Sequence, residues 1–193
     1  MGFWSRLFGF LGGRREEARA STDAAPLLQK QTPLYAQGTK IAYDPQLIER
    51  LLDDHRRVVG IFTEVRQSFV GGDTPRAAAL LEQFKSGIQE HLITEEIKLY
   101  VYLQSALAGD QMNRTLMRHM HHEMSLISQD VLNFLGKYSA LGKTPALNET
   151  FLDDLDKVGV VLTERIQREE TMLYPLYMSP SALESVHDDA PPG

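Results

Sequence analysis

Residues 84–102 read FKSGIQEHLITEEIKLYVY. Phe84, Ile88, Leu99 and Tyr102 recur at the three- and four-residue spacing of one helical face. His91 lies three after Ile88, Glu95 four after His91, and Leu99 four after Glu95. Two ionisable side chains therefore share the face that the helix turns toward its core. A buried carboxylate without a partner costs several kcal/mol or shifts its pKa until it is neutral. The stretch thus predicts both an amphipathic helix and a polar partner inside the fold.

The same pattern extends outward along the chain. Punctuation predicts four helices. Asp44-Pro45 reads as a cap and first helical proline for a helix running to about Val70, before Gly71-Gly72. Asp73-Thr74-Pro75 repeats that start for a helix to about Leu107. Asp110 can cap a third, to about Tyr138, ahead of Gly142 and Pro145. Asn148 can cap a fourth, ending near Tyr174-Pro175. Nothing reads as a strand, and short loops favour an antiparallel up-down-up-down four-helix bundle, an all-α fold.

Each helix carries an apolar seam broken by polar residues. The seams are Leu51, Val58, Phe62, Val65 and Phe69; then the stretch quoted above; then Leu116, Met120, Ile127 and Phe134; then Phe151, Leu155, Val158, Leu162, Met172 and Leu176. His55 interrupts the first, His119 and Glu123 the third, and Arg165 and Glu169 the fourth. With His91 and Glu95, seven polar side chains from four helices are expected to point inward and meet. Residues four apart stand about 6 Å apart along one face, so a His-x-x-x-Glu pair can offer nitrogen and oxygen to one centre. In the third helix His122 is the alternative to His119.

The run His55, His91-x-x-x-Glu95, His119-x-x-x-Glu123 and Glu169 resembles the hemerythrin-like (HHE cation-binding) family. Its flanks fit as well: LLDDHR around His55, HLITEEIKLY from His91, and RIQREETMLYP from Arg165 to Pro175. The resemblance covers about residues 45 to 177. It implies a bundle holding two bridged non-haem irons that bind dioxygen, sense oxygen or nitric oxide, or repair iron-sulfur clusters. The implied metal ligands are His55, His91, Glu95, His119, Glu123 and Glu169, with His122 and Glu170 as alternates. Arg165 departs from the pattern, standing where the family has histidine. Arginine stays protonated and cannot ligate, so the expectation is two irons or one. Without metal, Arg165 and protonated histidines could pair with the glutamates, and the bundle would serve as a protein-interaction module in signalling.

Composition sets outer limits. The chain has 193 residues, no cysteine and a net charge of −6. Thiolate sites, disulfides and cysteine nucleophiles are excluded, so a metal must be held by nitrogen and oxygen. The acidic balance argues against general nucleic-acid binding. No apolar run approaches the roughly 20 residues of a membrane span. No separate substrate pocket or nucleophile is legible, so an enzymatic role ranks last. The tract 117–124, rich in Met and His, resembles a soft-metal site for copper, but Met120 and Met124 read more simply as core fillers. Residues 1–43 form an N-terminal segment and linker, 44–178 the bundle, and 179–193 a tail expected to be disordered, with His187 solvated. Phe3, Trp4, Leu7, Phe8, Phe10 and Leu11 are apolar. Residues 3–11 could contact a membrane surface peripherally or fold back on the bundle. The placement expected is cytoplasmic.

Overall fold

The computed structural model describes residues 41–178, apart from the side chains of residues 145 and 146. The apolar opening at residues 3–11 and the tail from Ser179 lie outside them. The described residues form four long helices and no strand. Helix α1 spans Leu47–Val70. Helix α2 occupies residues 74–106, α-helical over Thr74–Thr94 and Val101–Ala106 with a π turn at Glu95–Tyr100 between them. Helix α3 spans Gln111–Lys137. Helix α4 is α-helical over Pro145–Arg168, continues as a π turn over Glu169–Leu173, and closes in a 3-10 turn at Tyr174–Leu176.

The starts follow local chemistry. Asp73 accepts a hydrogen bond from the Arg76 amide at 3.0 Å, and Asp110 from the Asn113 amide at 3.0 Å. Each satisfies one of the donors that a helix start leaves bare. Helix α1 starts two residues later than Asp44-Pro45 implied, with Gln46 and not Asp44 as its N-cap. The Asp44 carboxylate accepts from the Gln46 amide at 3.0 Å, and the helix begins at Leu47. Helix α4 begins at Pro145 with Thr144 as its N-cap, so Asn148 stands inside the helix rather than capping it. Proline at the first helical position fixes φ in advance, which decides the start. The turn after α1 uses Gly72 at φ +82°, a conformation that favours glycine.

The helices alternate in direction. Along α1 and α4, Asp44 meets Tyr177, His55 meets Glu170, and Arg66 meets Asp156. Phe62 packs on Phe84 and His55 on His91, so α1 and α2 are antiparallel. Lys137 pairs with Asp154 and Glu123 with Arg168, so α3 and α4 are antiparallel too.

The core has two apolar ends. One gathers Val58, Phe62, Phe84, Phe134, Phe151 and Leu155. The other gathers Leu51, Leu99, Leu103, Met120, Leu173 and Tyr174. Between them lies a polar layer of buried His55, His91, Glu95, Arg165 and Glu169. Seam positions just before and just after each polar residue fall into opposite ends, as Leu51 and Val58 do around His55.

Phe151 is fully buried and its ring packs against Phe69, Phe134 and Tyr138. Phe151→Ala should cost about 3–5 kcal/mol in chemical denaturation, with metal uptake unchanged because the residue belongs to the apolar end beyond the polar layer. A loss under about 1 kcal/mol would mean that this end of the core is not packed as described.

Candidate metal centre

Three helices build the polar layer. His55 stands about a third of the way along α1, His91 and Glu95 lie on α2, and Arg165, Glu169 and Glu170 lie on α4. Donor atoms of His55, His91 and Glu169 all lie within 4.8 Å of one another, and all three residues are buried. His55 Nε2 is 3.2 Å from His91 Nε2 and 3.2 Å from Glu169 Oε2. His91 Nε2 is 3.8 Å from Glu95 Oε2. The Tyr174 hydroxyl donates to Glu95 Oε1 at 3.1 Å and lies 3.2 Å from His55 Nε2.

Carboxylates stand behind both rings. His55 Nδ1 lies 2.8 Å from Glu170 Oε1, and His91 Nδ1 lies 4.0 Å from Asp54 Oδ2. The Glu170 hydrogen bond on the outer nitrogen of His55 fixes that ring's tautomer and leaves its inner nitrogen free to ligate, while Asp54 faces His91 Nδ1 only at ion-pair distance. Both Nε2 atoms thus aim at the same space.

Arg165 occupies the far side of the layer. Its Nε is 2.6 Å from Glu169 Oε1, and its Nη2 donates to the Tyr100 hydroxyl at 2.7 Å. The Nε contact is an ion pair without hydrogen-bond geometry, since both atoms lack a hydrogen-bond partner. The guanidinium is 3% exposed, so its charge is held inside the bundle.

Helix α3 contributes differently from expectation. His119 is 67% exposed and faces Glu123 at 3.6 Å, while Glu123 pairs with Arg168 at 2.6 Å. His122 is exposed, and His121 pairs with Glu96 at 2.7 Å on the surface. The residues of α3 that turn inward are Met117, Met120, Met124, Val131, Phe134 and Leu135. The seam read from Leu116, Met120, Ile127 and Phe134 shares Met120 and Phe134 with this one but is rotated from it by about 50° at 100° per residue. That rotation carries His119 and Glu123 out of the layer. Among the described residues, the expected site residues brought together are His55, His91, Glu95 and Glu169, with Arg165 beside them and Glu170 behind.

The π turns explain a second departure. Met172, expected on the seam, is 41% exposed, whereas Leu173 and Tyr174 are buried. A π turn winds more slowly than an α-helix and carries the residue five positions on back over its starting residue. Both π turns start at a layer glutamate, Glu95 or Glu169. Each is followed five positions later by a tyrosine, Tyr100 or Tyr174, whose hydroxyl reaches the layer. The signal for this was present as a repeat: His91-x-x-x-Glu95-Glu96-x-x-x-Tyr100 and Arg165-x-x-x-Glu169-Glu170-x-x-x-Tyr174.

Electrostatics set the demand on the site. Burial pushes the Glu95 carboxyl well above its usual range, and the nearby Glu169 charge adds to this. Burial also opposes the charge on Glu169, but the His55 hydrogen bond and the Arg165 charge outweigh it and hold the carboxyl low. Burial acts to neutralise His55, yet Glu169 and Glu170 overcome it and raise the ring to about 9. Burial and the neighbouring His55 charge lower His91 to about 4. Without a cation, one ring is therefore charged and the other neutral near pH 7.

The donor set fits one cation. Glu95 Oε2 and Glu169 Oε1 are buried without hydrogen-bond partners, and both are carboxylate oxygens a cation could serve. A single N–H on His55 Nε2 cannot serve His91, Glu169 and Tyr174 at once, each 3.2 Å away. A cation among them could. Three carboxylates, Glu95, Glu169 and Glu170, and one guanidinium leave a charge of −2 with neutral histidines, which one divalent ion cancels.

The two ring shifts predict a dome in the stability of chelator-treated protein. The raised His55 contributes stability that is complete below 6.5 and lost as pH rises through about 9. The lowered His91 contributes above 6.5 and is lost as pH falls toward about 4. Stability by urea denaturation should thus peak near 6.5 and decline on both sides, toward about 4 in acid and toward about 9 in alkali. His55→Gln should remove the alkaline decline, and an unchanged alkaline limb in that variant would contradict the assignment.

Comparison with known proteins gives one match. The model of the family described as "Hemerythrin HHE cation binding domain" matches residues 46–177, the span of all four helices. No curated protein and no solved structure matches the chain. Over most of its length, and through every residue of the polar layer, the chain belongs to the hemerythrin HHE cation-binding family.

Proposed function

We propose that the bundle binds one non-haem iron ion in the polar layer and uses it to sense or bind dioxygen, nitric oxide or redox state in a regulatory role. The observation that carries this reading is the convergence of His55, His91 and Glu169 donor atoms within 4.8 Å in a buried layer. Two imidazoles and carboxylate oxygens form a set suited to iron, and the absence of thiolate disfavours softer preferences. Iron held there would supply a redox couple and coordination positions for a small ligand.

The chain's own residues set the stoichiometry. Arg165 brings a fixed positive charge to the side of Glu169 away from His55. That charge takes up the role of a second cation, and α3 offers methionines rather than ligands at that side. Glu170 orients the His55 ring from behind, and Asp54 places a negative charge behind His91.

The surroundings suit a diatomic ligand. A cavity of about 30 Å³ adjoins the layer, lined by Val58, Phe62, Phe84, Ile88 and Leu162 beside His55, His91 and Arg165. It has room for one molecule the size of water, and its apolar walls exclude larger polar substrates. A groove of about 290 Å³ between α2 and α3, lined by Glu95, Tyr100, His121 and Met124, offers a route from solvent. No helix among the described residues is long and apolar enough to cross a membrane. A regulatory partner would meet the outer surface of the bundle, and residues 3–11 remain its proposed peripheral membrane contact.

Elemental analysis of protein purified anaerobically from iron-supplemented cells should find about one iron per chain. His55→Ala with His91→Ala should bring this near zero while far-ultraviolet circular dichroism stays helical. Wild-type protein that holds no metal and takes none up would favour the second reading, a salt-bridged interaction module. That reading rests on the Arg165–Glu169 ion pair at 2.6 Å.

A further inference from the structure

We propose that Tyr174 is a ligand of the same cation, giving the centre a phenolate oxygen beside two imidazoles and two carboxylates. The inference rests on the metal-binding reading above. Donor atoms bound to one ion at about 2.0–2.2 Å stand about 3 to 3.6 Å from one another. The Tyr174 hydroxyl meets that spacing twice, 3.2 Å from His55 Nε2 and 3.1 Å from Glu95 Oε1. It is no farther from His55 Nε2 than His91 and Glu169 are. Both contacts are long for a hydroxyl, whose hydrogen bonds to oxygen cluster near 2.7–2.8 Å. The group is shared between two acceptors and well seated on neither.

The backbone is built to put it there. In unbroken α-helix, Tyr174 would stand about 140° around the axis from Glu169. The π turn Glu169–Leu173 adds one residue to the winding, cuts that angle to about 40°, and leaves Tyr174 3% exposed, with its ring stacked on His55 at 5.6 Å. The repeat in α2 supplies an internal comparison. Tyr100 is placed by the same device, and its hydroxyl accepts from Arg165. In each half of the layer a tyrosine oxygen thus reaches toward positive charge. On the Tyr100 side that charge is the guanidinium. On the Tyr174 side no fixed cation stands among the described residues, only the titratable His55 ring. Cation binding replaces the phenolic proton on the oxygen and releases it to solvent, so the exchange balances.

Ferric protein tests this directly, because a ferric phenolate absorbs visible light and gives tyrosinate bands in resonance Raman spectra. Wild-type protein loaded with ferric iron should show both. Tyr174→Phe should lose both while retaining bound iron. Tyr102→Phe should keep both, since the Tyr102 hydroxyl donates to the Met178 carbonyl outside the layer. Wild-type protein that binds iron without the tyrosinate bands would overturn the ligand role and leave the metal centre standing, as would bands that persist in Tyr174→Phe. Wild-type protein that takes up no iron would overturn both readings together. The wild-type spectrum decides the matter even where the Tyr174 variant folds poorly.

Discussion

Two carboxylates buried in the middle of an apolar bundle are the constraint on which the rest of the structure depends. Glu95 and Glu169 are each 2% exposed or less, and such groups need positive charge close by. Every polar residue of the layer can be understood as an answer to that need. Arg165 pairs with Glu169, His55 is driven toward its charged form, and Glu170 holds the His55 ring in place. The apolar ends above and below serve the same purpose by keeping water out, which strengthens each interaction within.

The layer has two unlike halves built from like parts. The sequence from His91 to Tyr100 and that from Arg165 to Tyr174 share spacing, paired glutamates, a π turn and a closing tyrosine. They differ at the first position, where one has imidazole and the other guanidinium. An imidazole can give a lone pair to a metal, whereas a guanidinium can only donate hydrogen bonds. That single difference divides the layer into a side that can hold an ion and a side that carries its own charge. The rotation of α3 completes the asymmetry, since it turns Met120 and Met124 inward and leaves His119 on the surface.

Much of this was legible from periodicity. The four helices, their caps at Asp73 and Asp110, and the inward positions of His55, His91, Glu95, Arg165 and Glu169 follow from spacing against apolar neighbours. Helix α3 was not legible in the same way. Its apolar residues, Leu116, Met117, Met120, Met124, Ile127 and Val131, spread over a wide arc and define two seams about 50° apart. Packing chooses between them, and sequence spacing does not. The π turns were hidden for a different reason. Assigning 3.6 residues per turn throughout puts Met172 inside and Tyr174 outside, and one added residue in the turn reverses both. Only the duplicated Glu-Glu-x-x-x-Tyr spacing marked where that happens.

The central claim is that the layer holds one cation and that Arg165 stands in for a second. Crystals of iron-loaded protein, measured at the iron absorption edge, would locate every bound iron by its anomalous scattering. The account predicts a single peak among His55 Nε2, His91 Nε2 and Glu169, with the Arg165 guanidinium still against Glu169 on the other side. A second peak on the Arg165 side, or no peak within the layer at full loading, would contradict it.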